Sequence, residues 1–206
     1  MDLPESIKKY LPQFLSSKSS EELFGCLKDF PTNIDCRMYC DRTKAEEFFS
    51  QGDGIAKLKM FRWDTESMKD VNVMVLSNSC DISKANKRNF TPYCVYCALI
   101  KLSALLDLYK KNGRDEEHMK EVESDIRNQR ITSFFYLPKG QGLDDDYVAI
   151  LDRVGSCPIT YLDETKTKLF SLSNYGFYMF LLKLSIHFTR IRDGLDRSDL
   201  NGMNIN

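Results

Sequence analysis

A chain of 206 residues with 42% hydrophobic and 29% charged side chains has enough apolar surface for one generous domain and enough charge to keep its outside in water. Its 29 basic and 30 acidic side chains nearly cancel, for a formal net charge of −1; this excludes the global field that draws nucleic acid or an anionic membrane, so any such binding needs a local patch. Seven cysteines, an odd number, behind an acidic Met1-Asp2-Leu3-Pro4-Glu5 start predict free thiols in a reducing, cytoplasmic setting and no secretory leader.

Asp2 and Glu5 have capping-box spacing, and Leu3, Ile7, Leu11, Phe14 and Leu15 recur at helical intervals, with Pro12 as a kink. Ser19 and Glu22 repeat the cap ahead of Leu23, Leu27 and Phe30, so residues 1–42 are predicted to form an N-terminal helical appendage. Segment 32–39 carries little pattern, and a helix over 43–49 is expected to close at the turn Gln51-Gly52-Asp53-Gly54. Over 55–61, Ala56, Leu58 and Met60 alternate with Lys57 and Lys59, which predicts a half-buried strand. Over 71–77, Val71, Val73 and Val75 line one face while Met74 and Leu76 line the other, the pattern of a central strand covered on both sides.

A further strand is expected over 93–102, then helices within 103–128 broken near Gly113, then strands over 131–137, 147–152 and 169–172. Ser173 caps a final helix over 174–192, apolar around most of its circumference. Its longest apolar stretch, 177–188, is interrupted by Lys183 and His187 and is too short to span a membrane. The fold class read from these elements is α+β: a single domain over 43–197 built on a small SH3-like, partly open antiparallel β-barrel. The N-terminal helical hairpin, a helical insertion at 103–130 and the long C-terminal helix elaborate it, and 198–206 is a flexible tail.

Ser77-Asn78-Ser79-Cys80-Asp81 leaves a buried strand, where a rigid scaffold presents small polar groups. Catalysis by Cys80 needs a base, with Asp81 adjacent and His187 available elsewhere; the favoured alternative is that Ser79 and Asp81 satisfy turn amides while Cys80 fills a gap. Lys183, His187 and Arg190 fall at i, i+4 and i+7 on the last helix, a cationic stripe that calls for an anion, a phosphate or a carboxylate of the same chain. With Ser77, Asn78 and Ser79, Lys183 and Arg190 form the candidate anion-binding set. Lys57, Lys59, Arg62 and Trp63 suit single-stranded nucleic acid through stacking and phosphate contacts.

Cys36, Cys40, Cys94 and Cys97 raise a zinc reading, but Cys94 and Cys97 stand three apart in a strand and face opposite sides, so no metal site is expected. Asp144, Asp145 and Asp146 read as a solvated turn rather than a magnesium site. With no Walker loop, dinucleotide glycine fingerprint or nucleophile elbow, no cofactor is expected.

Gln51-Gly52-Asp53-Gly54-Ile55 and Val73-Met74-Val75-Leu76-Ser77 resemble the MazF and PemK type of small barrel toxins, which cut RNA. The resemblance implies a barrel over about residues 50–100; the Arg-Pro of those toxins is replaced here by Asp70-Val71-Asn72, and no catalytic residue carries over. A closer resemblance is to uncharacterised bacterial proteins that combine Gln-Gly-Asp with Leu76-Ser77-Asn78-Ser79-Cys80-Asp81-Ile82 and a helix like 183–190. The expectation is a non-enzymatic binding or accessory module of a bacterial system related to nucleic acid, such as phage defence or toxin–antitoxin. Its partner would be a protein or a second copy, with nucleic acid as another candidate and no membrane. The alternatives are an enzyme with a Cys80/His187 or phosphate-binding site, such as a ribonuclease-like barrel, and a single-stranded nucleic-acid binder.

Overall fold

The computed structural model describes residues 34–40, 48–86, 88–162 and 166–189. The helical hairpin expected within 1–30, most of the helix expected over 43–49, Arg190 and the tail lie outside these residues. Strands β1 (Gly54–Arg62) and β2 (Ser67–Val75) form a hairpin whose turn carries Glu66 at a φ of 46°. β2 starts earlier than its apolar run suggests, because Met68, Lys69 and Asp70 pair with β1 while exposed to solvent. β3 (Tyr93–Lys101) leads directly into α1 (Leu102–Lys111) and α2 (Glu116–Arg127), separated by Gly113 at a φ of 81°. The chain then forms β4 (Phe134–Leu137), β5 (Tyr147–Pro158), β6 (Lys168–Phe170) and α3 (Asn174–Thr189).

The six strands are antiparallel in the order β4-β5-β3-β2-β1-β6, with β4 and β6 as edges, so the protein is α+β and its sheet is not closed into a barrel. β5 runs past the expected end at 152 because it pairs with β3 along its length, through a register shift that places Cys97 opposite Val154 and Ala98 opposite Ile150. β4 begins later than expected, at Phe134, and its edge is closed by a side chain. The buried amide of Gln129 donates to the Tyr136 carbonyl (2.8 Å) and accepts from the Tyr136 N–H (3.1 Å), supplying the pairing that a further strand would give.

Both sheet faces are covered. Met74, Leu76, Cys97, Leu99 and Phe135 pack on one side with Met179 and Phe180 of α3, while Val73, Val75, Cys94 and Tyr96 pack on the other with Ile55 and Leu58. The two-sided reading of β2 is therefore correct. The β1 alternation is not regular: a bulge with Lys57 at a φ of 56° shifts the register, so Ile55 and Leu58 both point into one cluster and Ala56 is only half buried. α3 is capped by Ser173, whose Oγ accepts from the Gly176 N–H (3.2 Å), but it is not enclosed all round. Leu182 and Phe188 are 49% and 60% exposed, because the helix covers a sheet face rather than lying between two layers. Met38 and Tyr39, from the segment with little sequence pattern, belong to the main core.

The start of β1 is fixed to β6 by a buried ion pair. Asp53 Oδ2 lies 2.9 Å from Lys168 Nζ, both side chains are under 10% exposed (4% and 8%), and the same oxygen accepts from the Ser50 N–H at 2.8 Å. Lys168 also donates to the Phe48 carbonyl (3.0 Å). Gly54 faces Phe170 so closely that a Cβ would stand 2.3 Å from the ring, which explains glycine there. Removing one partner of such a pair strands a charge. Asp53→Asn is expected to cost about 3–5 kcal/mol, and adding Lys168→Met is expected to recover much of it, as a double-mutant cycle on urea-unfolding midpoints would measure. Additive losses would show that the pair is not coupled.

Candidate functional site

The two sequence motifs meet. The Gly52 N–H donates to the Val75 carbonyl and the Val75 N–H to the Asp53 carbonyl, each at 2.9 Å. The Gln51 N–H donates to Ser79 Oγ (2.9 Å), and the Gln51 side-chain amide donates to the Leu76 carbonyl (2.8 Å). Gln51-Gly52-Asp53 and Leu76-Ser77-Asn78-Ser79 are thus one braced unit at the end of β2, and their polar groups serve the brace. Ser77 Oγ accepts from the Val95 N–H (2.7 Å) and Asn78 Oδ1 from the Cys80 N–H (2.9 Å). Burial pushes the Asp53 carboxyl above its usual range, against the opposing pull of Lys168, the Ser50 amide and Ser171.

Cys80 is exposed at the outer rim of this unit. Its carbonyl accepts from the Asn86 side chain, and the neighbouring Asp81 carboxylate is held by Arg88 at 2.7 Å. Arg88, which sequence reasoning passed over, also lines an open hollow of about 330 Å³ of mixed character, with Asn86 and Asn89 beside Phe90 and Ile159. His187 is on α3, its ring edge-on to Phe188 at 4.7 Å and its Nδ1 enclosed without a hydrogen-bond partner among the described residues. Among the described residues, the hydrogen bonds and ion pairs of Cys80, Asp81 and Lys183 share no partner.

Among the described residues, Lys183 does not meet a carboxylate. It is 6% exposed, and its ammonium donates to the Gln129 carbonyl at 2.5 Å, on the turn between α2 and β4. Burial lowers its pKa to about 8, since a neutral amine loses less than a cation on leaving water. Of the chain's own carboxylates, Asp81 pairs with Arg88, and Asp152 is exposed on β5. Beside Lys183 is a pocket of about 130 Å³.

The remaining candidates are dispersed. Lys59 pairs with Asp70 at 2.8 Å and Arg62 with Asp64, while Lys57 is exposed at the β1 bulge and Trp63 is at the hairpin tip. Cys94 and Cys97 do face opposite sides of the sheet, each in a different core cluster, and burial pushes both thiols up to about 12. The acidic triplet is more than a solvated turn: Asp144 pairs with Lys101 (2.6 Å) and Asp146 with Arg127 (2.7 Å), so these carboxylates brace separate elements. Among the described residues no cluster is arranged to hold a metal, Cys40, Cys80, Cys94, Cys97 and Cys157 are free, and no helix is long and apolar enough to cross a membrane.

No protein-family model and no curated protein matches the chain.

Two outcomes follow from these environments. Native protein treated with a maleimide should show a fast labelling phase that Cys80→Ser removes, whereas Cys94 and Cys97 should react only on unfolding; slow labelling of Cys80 would contradict its exposure. Because Lys183 has a lowered folded pKa, the unfolded chain binds more protons between about pH 8 and the unperturbed lysine value of about 10.4. Wild-type stability relative to Lys183→Met is expected to rise across that window, measured as the difference in urea midpoints. A flat difference would contradict the burial of a charged Lys183.

Proposed function

We propose that the chain is a non-enzymatic binding or accessory module that docks a protein partner through the tip of its β1–β2 hairpin. The observation that carries this reading is an outward apolar patch. Trp63 is 85% exposed, Met68 55% and Phe61 42%; Phe61 and Met68 are cross-strand partners, and the Trp63 ring meets Phe61 edge-on at 4.8 Å. The Lys59–Asp70 and Arg62–Asp64 pairs border it. An apolar centre within a polar rim is the anatomy of a protein interface, with tryptophan the commonest anchor.

The same border weighs against the single-stranded nucleic-acid reading. Exposed ion pairs are weak, but a phosphate approaching Lys59 or Arg62 also meets Asp70 or Asp64, and Lys57 alone adds little field. The enzyme reading loses support from the braced turn, where Ser77, Asn78, Ser79 and Asp81 are already engaged. For the finer architecture we propose an SH3-like, partly open barrel; the approach of the β4–β5 loop to β6, through the Gly142 N–H to the Leu169 carbonyl at 3.0 Å, supports it. A cytoplasmic bacterial setting, such as phage defence or toxin–antitoxin, rests on the motif resemblance.

In the native host, the protein that co-purifies with the tagged chain is expected to be lost with Trp63→Ser/Met68→Ser. Truncating a central aromatic anchor commonly costs at least about 2 kcal/mol. Capture should survive nuclease and Lys57→Glu/Lys59→Glu. Undiminished capture by the tip variant would overturn the proposal, and capture abolished by nuclease or charge reversal would transfer it to nucleic acid.

A further inference from the structure

Lys183 presents an unsolved electrostatic problem. It is 94% removed from solvent by its 6% residual exposure, its polar partner is the neutral Gln129 carbonyl, and no carboxylate pairs with it among the described residues. A buried cation ordinarily sits beside an anion, because a single carbonyl dipole offsets only part of a desolvation cost of several kcal/mol. The carbonyl is also held rigidly: Gln129 is fixed by two hydrogen bonds between its side chain and Tyr136, and it adopts a φ of 56°. Gln129 therefore positions the ammonium and does not neutralise it.

Lys183 and Gln129 line one pocket. Phe135, Met179, Leu182 and Ile186 wall the pocket, with Arg130 and Thr132 also in its lining. Arg130 is partly engaged, its Nη1 lying 3.1 Å from Asp125, which leaves other donors of its fork unassigned. Four lining residues are apolar, Lys183 is the buried cation and Arg130 the exposed one; a ligand that fits combines an apolar body with an anionic head. Inorganic phosphate fits less well than an organic anion, since it gains nothing from Phe135, Met179, Leu182 or Ile186. At about 130 Å³ the pocket is close in size to apolar cavities of about 150 Å³ that hold benzene.

We infer that the pocket between α3 and the α2–β4 turn binds a small organic carboxylate with an apolar body about the size of one aromatic ring, its carboxylate paired with Lys183. The ligand supplies the anion that Lys183 lacks among the described residues, and its body fills the volume beside Phe135 and Met179. The pocket is separate from the hairpin tip, so the two bindings are independent.

The test is calorimetric titration of the full chain with benzoate, with benzyl alcohol as the neutral isostere, and with inorganic phosphate. Benzoate is expected to bind, benzyl alcohol at least about tenfold more weakly, and phosphate not to compete. Lys183→Met should weaken benzoate by at least about tenfold while leaving benzyl alcohol unchanged. Should Lys183→Met fail to fold, Ile186→Trp provides the second arm: position 186 is 45% exposed, so this change should block the pocket and abolish binding without moving the unfolding midpoint. No benzoate binding to the wild type, equal binding of benzoate and benzyl alcohol, or benzoate binding unaffected by Ile186→Trp would each overturn the assignment.

Discussion

The buried pair of Asp53 and Lys168 is the contact on which the arrangement of this sheet depends. It joins the residue that precedes β1 to the first residue of β6, and so fastens the three-residue edge strand that α3 follows. Two ions placed in an interior are tolerated when their remaining hydrogen-bonding capacity is met; here the Ser50 amide and the Phe48 carbonyl take it up. The pair fixes the Gln51-Gly52-Asp53 turn, and that turn in turn receives the end of β2. From β2 outward, β3 and β5 extend the sheet to an edge closed by Gln129.

This dependence explains why Ser77, Asn78 and Ser79, which look functional in the sequence, are engaged by the backbone. Small hydroxyls, an amide and an aspartate at the end of a buried strand are the side chains a catalytic site would use. They are equally the side chains that satisfy backbone amides where a sheet ends, and Ser77, Asn78 and Ser79 each receive a backbone N–H. The surfaces proposed here to carry function lie elsewhere: the aromatic hairpin tip and the pocket lined by Lys183.

Much of the architecture was legible in the sequence because hydrophobic periodicity reports burial directly. The two valine and methionine faces of β2, the break at Gly113 and the cap at Ser173 all follow from local pattern. What escaped depended on contacts distant in sequence. The hairpin arm at 67–70 is polar because its pairing is on the exposed side, and the last part of β5 is held by β3 rather than by its own alternation. The Lys57 bulge leaves no apolar mark. The roles of Asp53, Lys168, Gln129 and Arg88 were hidden for the same reason, since each is defined by a partner that only folding brings near. Cys80 and His187 were joined in the sequence reading by chemistry alone, with no spacing to enforce it. On the cationic stripe of the last helix, Lys183 is buried and, among the described residues, its ammonium meets the Gln129 carbonyl in place of the internal carboxylate that the spacing suggested.

Native-state hydrogen exchange at the amides of Gly52, Ala56 and Val75 tests the central brace most directly, because these N–H groups donate to Val75, Thr167 and Asp53 across the junction of β1, β2 and the lead into β6. If the Asp53–Lys168 brace organises the sheet, all three should exchange only through global unfolding, with the free energy of the β3–β5 amides. Exchange through a local opening while β3 and β5 remain protected would contradict it, and would return the motif turns to the mobile part of the molecule.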